Sequence, residues 1–194
     1  MGKKIADRRV RRTREFLQSA LVALIVERGY DAVTVQDVLD RANVGRSTFY
    51  AHFRDKEDLL LSGAEKLWKQ FEEHFASAAV TNETPWMLSL AMFEHAAEQR
   101  ALYRALSGKQ GGNIALQHIQ KKLYVSVRDH LKAQAPKRKK GFPPDLLAHY
   151  IISSFIAVLT WWLDNDASYT PAQMNEFYRQ LVQPGVEQIF PVHA

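Results

Sequence analysis

The stretch from Thr34 to Phe53 constrains the fold of this chain more than any other, and it reads TVQDVLDRANVGRSTFYAHF. Thr34 can cap the free amides of a first helical turn, and Asp37 stands three residues on, where a capping box places its second member. Val35, Val38, Leu39 and Ala42 then share one helical face. Asn43 follows where the chain must turn sharply, and asparagine tolerates the left-handed backbone that such a turn uses. Val44 would plug the angle between two helices, and Gly45 is an acceptable cap for the second. Along that second helix Phe49 and Phe53 lie four residues apart and can bury together. The opposite side carries Arg46, Ser47, Tyr50 and His52, groups suited to phosphates and base edges. Two short amphipathic helices, a tight polar turn and an arginine- and hydroxyl-rich start to the second helix read as a helix-turn-helix, whose exposed helix fits the B-DNA major groove.

From about Arg12 to Leu60 the chain resembles the TetR family of bacterial one-component transcription regulators. The likeness is carried by Gly29-Tyr30, Thr34-Val35, Val44, Thr48-Phe49-Tyr50, His52-Phe53 and the run Lys56-Glu57-Asp58-Leu59-Leu60. Two positions depart from the family habit of glycine at 43 and serine at 45: Asn43 and Gly45 keep the backbone role and bear on operator choice. The resemblance implies a regulator of transcription, by family habit a repressor, that binds a palindromic double-stranded operator as a homodimer. It assigns DNA contact to Arg46, Ser47 and Thr48 at the start of the recognition helix and to Gln36 in the helix before it. Arginine can pair with guanine, and hydroxyls reach phosphates or base edges. Thr34, Tyr50, His52 and Lys56 are implied as contacts that position the DNA backbone. Two alternatives stay open: Tyr50 half-buried against the first helix, and Thr48 spent on a local hydrogen bond.

The formal net charge is +5 over 194 residues, and the excess gathers at the start. There Lys3, Lys4, Arg8, Arg9, Arg11, Arg12 and Arg14 meet only Asp7 and Glu15. Beside a helix-turn-helix such a segment reads as an arm that contacts phosphates, and by itself as a solvated tail. The absence of cysteine excludes a disulfide framework and thiolate metal sites. No HExxH spacing and no glycine-rich phosphate loop after a strand is present, so neither a metal, a cofactor nor a catalytic residue is expected, even with His52, His95, His118 and His149 considered as bases. Nothing at the N-terminus resembles a signal peptide, and the chain is expected in the cytoplasm. Leu146 to Leu163, LLAHYIISSFIAVLTWWL, has the length of a short membrane span, but His149, Ser153, Ser154 and Thr160 interrupt it and a helix apolar nearly all round can equally be buried between a core and a partner subunit.

Apolar residues recur at helical spacing almost throughout, so the expected class is all-α, with nine or ten helices. Residues 1–54 would form a three-helix DNA-binding domain with its basic arm, and 55–194 a helical bundle for ligand binding and dimerisation. A first helix carries Leu17, Ala20, Leu21, Leu24 and Ile25 and stops at Gly29. Asp55 caps a fourth helix, whose stripe runs through Leu60, Ala64, Leu67, Phe71 and Phe75. Pro85 opens another helix with Trp86, Leu90, Phe93 and Ala97 on one face, and a short helix covers Arg100 to Leu106. Gly108, Gly111 and Gly112 mark a loop, and a long helix from Ile114 ends before the basic linker PKRKKGFPP at Pro136 to Pro144. Two final helices follow, with Pro184 kinking or restarting the last.

The family layout places a small apolar or aromatic effector among the middle helices, which points to Phe71, Phe93, Tyr103, Leu106, Tyr124 and Phe155, with His95 and His118 as polar anchors. Each of these apolar and aromatic residues is more often plain core than ligand contact, and a lone histidine on a helix is more often solvent-facing or satisfied by a neighbour. The homodimer would form through the last two long helices, with Leu159, Trp161, Trp162, Tyr178, Leu181 and Val182 as its surface. Trp161 and Trp162 project about a hundred degrees apart on a helix, so one can serve the core while the other faces the partner, and the alternative is that both belong to the core of one chain. A DNA-binding regulator without a small effector, controlled by a protein partner or by its own abundance, is the alternative.

Overall fold

The computed structural model of the protein describes residues 2–76, 84–106, 110–133, 142–165 and 168–189. Gly108, residues 136–141 of the basic linker, and the side chains of Lys3, Lys4, Asp7, Phe75, Pro85 and Trp86 lie outside the described residues. Nine helices and no strand occur among the described residues, in agreement with the all-α expectation: α1 (Gly2–Arg28), α2 (Val35–Ala42), α3 (Arg46–Tyr50), α4 (Lys56–Ala76), α5 (Thr84–Glu98), α6 (Arg100–Leu106), α7 (Gln110–Ala133), α8 (Pro144–Asp164) and α9 (Pro171–Ile189). They pack as two units. The first joins Met1–Leu67 with Ala101–His118, and the second joins Trp68–Arg100 with Ile119–Ala194.

In the first unit α1 packs on α2. Its stripe of Leu17, Leu21, Leu24 and Ile25 is buried together with Val38 and Leu39 of α2, Phe49 and Phe53 around α3, and Leu59 of α4. Gly29 ends α1 with φ 81, a left-handed backbone in which its amide still donates to the Ile25 carbonyl at 2.8 Å. Leu102, Ala105 and Leu106 of α6 and Ala115 of α7 close the same core.

Gly111 and Gly112 do not mark a loop: both lie in the first turn of α7. The reason at Gly111 is contact. A Cβ there would lie 2.2 Å from Cγ of Tyr30, so glycine is needed for close approach and not for a turn. Pro184 likewise does not restart a helix, because α9 runs through it to Ile189. The proline leaves the carbonyl of Gln180 without its amide partner, and Gln180 lies on an exposed part of the helix.

In the second unit α9 packs on α5 and α8 around stacked aromatic rings. Phe93 meets Phe155 edge to face at 5.1 Å and Trp162 at 5.8 Å, and Phe155 meets Tyr178 at 5.5 Å. Polar tips within this core find partners. The Tyr178 hydroxyl donates to the Ile151 carbonyl at 2.9 Å, the Trp162 indole to the Tyr169 carbonyl at 3.1 Å, and the Ser89 hydroxyl to Asn175 at 2.6 Å. α8 is long and apolar enough to cross a membrane by length and composition. Its buried residues Leu147, Ala148, Ile151, Ile152, Phe155, Leu159, Trp162 and Leu163 recur at three- and four-residue steps, which makes them the core-facing stripe of the second unit.

Candidate nucleic-acid interface

The DNA-reading face is built on a rigid local frame. Thr34 and Asp37 form the full capping box: the Asp37 amide donates to Thr34 Oγ1 at 3.2 Å, and the Thr34 amide donates to Asp37 Oδ2 at 2.8 Å. The Thr34 hydroxyl also donates to that carboxylate, at 2.6 Å. Arg28, at the end of α1, adds an ion pair to Asp37 at 2.7 Å. The Arg28 contact and then the two Thr34 bonds hold the Asp37 carboxyl well below the ordinary carboxylate range. At the other end of α2, Arg41 donates through both terminal nitrogens to Glu27 at 2.8 and 2.6 Å. Two ion pairs therefore clamp α2 onto α1, one at each end. Asn43 takes the left-handed conformation, φ 51 and ψ 49, that the turn demands, and Val44 packs half-buried against the core.

Gly45 caps α3 with extended backbone, and Phe49 and Phe53, 5.8 Å apart, fix α3 to the core beneath. Arg46, Ser47 and Thr48 are thereby left exposed on its first turn, and Gln36 on the outer side of α2. The Gln36 amide donates to Asp40 at 2.8 Å. Tyr50 is 51% exposed and touches Phe49 edge to face at 5.3 Å. His52 is half-buried, with its ring 6.5 Å from that of Phe53.

Thr34 and Lys56 occupy different surroundings. The Thr34 hydroxyl is committed to the capping box, and the Lys56 ammonium donates to the carbonyls of Tyr30 and Val33 at 2.9 and 2.6 Å. Burial lowers the Lys56 pKa from its ordinary value. The basic start of α1 presents Arg8, Arg9, Arg11, Arg12 and Arg14 to solvent, with Arg14 lying over the Phe53 ring at 5.1 Å. The clamps of Arg28 and Arg41 were not anticipated. Their partners sit 9 and 14 residues away, and only the docking of α1 on α2 brings them together.

Comparison with known proteins agrees with this geometry. Residues 17–62 match the family profile described as bacterial regulatory proteins, tetR family, and residues 83–184 match a transcriptional regulator C-terminal region. The chain belongs to the TetR family. As a TetR-family protein it is a DNA-binding transcriptional regulator and not an enzyme. An uncharacterized HTH-type transcriptional regulator of Bacillus subtilis, YxbF, is 26% identical over 92% of this chain, which spans 47% of that relative's length. The fatty acid metabolism regulator protein of Bacillus subtilis is 25% identical over 86% of this chain and 92% of its own. The HTH-type transcriptional repressor KstR2 of Mycobacterium tuberculosis is 27% identical over 89% and 91%. Among solved structures, a TetR transcriptional regulator from Streptococcus agalactiae superposes with a TM-score of 0.66 at 27% identity, over 93% of this chain and 98% of that one. FadR from Bacillus subtilis, in complex with stearoyl-CoA, does so with a TM-score of 0.66 at 22% identity, over 87% and 96%.

The remaining site residues of this TetR protein fall into separate places. Leu159, Trp162, Tyr178 and Val182 are buried in the protomer's own second unit, so these four sequence-based candidates for the dimer surface belong to the core. The pair of tryptophans divides as their angular separation requires: Trp162 is 2% exposed and Trp161 is 50% exposed. Leu181, at 67%, is the other exposed candidate. Phe93 and Phe155 touch each other inside the aromatic core, and Phe71 lies edge-on to His95 at 6.1 Å. The Tyr124 hydroxyl donates to Asp145 at 3.0 Å. Tyr103 and Leu106 belong to the first unit, where Leu106 is part of the helix-turn-helix core and burial pushes the Tyr103 phenol up to about 12. His118 pairs with Glu65 at 3.1 Å, also in the first unit.

Burial pushes the His95 imidazole below its ordinary value, and His130 is shifted the same way for the same reason. The folded state then binds fewer protons than the unfolded one near the ordinary histidine pKa. This contribution to stability is complete above that pKa and is lost as the pH falls through it. The melting temperature should decline between about pH 7 and pH 5. His95→Gln should flatten that decline, and melting curves with the wild-type slope would refute the assignment.

Proposed function

We propose that this protein is a repressor that binds a palindromic operator as a homodimer and is released by a small apolar effector. The observation that carries the reading is the exposed Arg46-Ser47-Thr48 turn on a recognition helix fixed from beneath by Phe49 and Phe53. Arg46 pairs with guanine, Gln36 reads a base beside it, and Ser47, Thr48 and Tyr50 meet phosphates or base edges. One such domain makes too few contacts for tight specific binding, so two copies reading half-sites related by a dyad supply the rest.

The dimer forms through α8 and α9. What supports this is an exposed face of α8 that carries Leu146, Tyr150, Ala157 and Trp161 at steps of four, seven and four residues, together with Phe177 and Leu181 four apart on α9. Large apolar groups exposed on one face of a helix mark a surface that another chain covers. Function divides near residue 54, with DNA reading in 1–54 and ligand binding and dimerisation in 55–194. The protein works in the cytoplasm, where its operator is.

For the effector, a long-chain acyl thioester is the first class to test. A relative that regulates fatty acid metabolism and a FadR structure holding stearoyl-CoA support it. Stearoyl-CoA titrated into the protein–operator complex should release the DNA, with a coupling of roughly 1 to 3 kcal/mol, or 5- to 150-fold in affinity. Binding of the thioester with operator affinity unchanged would overturn this part. The second reading, a regulator without a small effector, is favoured by the edge-to-face packing of Phe93, Phe155, Trp162 and Tyr178 against one another. On that reading neither stearoyl-CoA nor any other apolar ligand shifts the melting temperature.

A further inference from the structure

Tyr30 stands in the turn between α1 and α2, and its ring is buried. Two helices that start far from it in sequence both meet that ring. The Lys56 ammonium, at the first residue of α4, lies 4.1 Å from the ring centroid and donates to the carbonyls of Tyr30 and Val33. Gly111, in the first turn of α7, comes so near that a Cβ there would lie 2.2 Å from Cγ and 2.7 Å from Cβ of Tyr30. Those atoms are the root of the side chain and cannot swing aside as a flexible tip would. Any residue but glycine at 111 therefore displaces the ring, the helix or both.

From these contacts we propose that Tyr30 is a positioning residue for DNA reading, through which the first turn of α7 sets the placement of α2 and α3. The inference rests on the DNA-reading function assigned above. The route is short: Gly111 bears on the ring, the ring carries the Lys56 ammonium, and that ammonium holds the Tyr30 and Val33 carbonyls. Thr34, the cap of α2, is the next residue. Lys56 accordingly acts as a brace of the α1–α2 turn, since two of its three N–H groups are given to carbonyls and its charge faces a ring. Burial also pushes the Tyr30 phenol up to about 12, so the ring stays neutral at working pH.

The test compares wild type, Gly111→Ala, Tyr30→Leu and the double variant, with Gln117→Ala as control because Gln117 is exposed further along α7. Operator affinity is measured at a temperature where circular dichroism finds each variant folded, and amide NMR spectra of the free proteins give a reading that needs no DNA. Gly111→Ala should bind the operator about tenfold more weakly, whereas the double variant should stay within about threefold of Tyr30→Leu, the non-additivity expected of a direct contact. Its amide shifts should spread from residue 111 through 30–34 into α2 and α3, and the control should match wild type. Gly111→Ala binding like wild type, or a double variant that loses the full tenfold beyond Tyr30→Leu, would overturn the proposal. If Gly111→Ala does not fold alone, folding of the double variant supports it and failure of both overturns it. If wild type selects no operator, the DNA-reading function fails instead, and the amide shifts decide: spread into α2 and α3 supports the joint, and confinement to α7 refutes it.

Discussion

Arg46→Ala should weaken operator binding about a hundredfold or more while leaving affinity for unrelated DNA nearly unchanged. Arg46 is exposed at the first residue of α3, and no carboxylate among the described residues engages it. A guanidinium pairing with guanine contributes about 1 to 3 kcal/mol of discrimination, and a dimer makes the contact once in each half-site, so the pair contributes roughly 2 to 6 kcal/mol. The fold should survive, since an exposed residue away from caps and core changes stability by about half a kcal/mol or less. Phosphate contact predicts something else: a uniform loss on all DNA and a salt slope smaller by about one for each contact removed. Titrations of the variant on its operator and on scrambled DNA, at several salt concentrations, separate the two.

The double variant Trp161→Asp and Leu181→Asp should be a folded monomer with no tight operator binding. Both side chains are at least half exposed, so their loss takes little from the protomer core. In a dimer through α8 and α9 each carboxylate would be carried into an apolar interface without a partner, at a cost of several kcal/mol per charge. The variant would then bring one half-site reader to the DNA where the wild type brings two, and affinity should drop from the nanomolar range to about the micromolar level of non-specific binding. Sedimentation and operator titration on the same sample check it. A variant that still sediments as a dimer places the interface on another face.

Local chemistry was legible in the sequence, and encounters between distant residues were not. Thr34 with Asp37, and Asn43 at φ 51, depend on neighbours within four positions, so residue type alone identified them. The buried stripe of α1 followed from helical spacing for the same reason. The clamps of Arg28 on Asp37 and Arg41 on Glu27 were invisible, because any exposed arginine reads as solvated until two helices dock. Gly111 misled for a related reason: glycine marks both turns and close contacts, and only Tyr30 across from it tells which. The two tryptophans had to face different ways, yet their spacing could not say which was which, and packing against Phe93 put Trp162 inside. Lys56 matched a family position for phosphate contact, while its ammonium sits between two carbonyls and a ring that residues 30 and 33 bring to it.

Whether two copies of the exposed α3 read one two-fold site is decided by selection of genomic fragments with the purified protein. An enriched palindrome is expected, with half-sites one helical turn apart, about 34 to 36 Å, bound by dimers with log affinity falling steeply against log salt. Recovery of no enriched sequence, with only weak binding that every fragment shares, would contradict it.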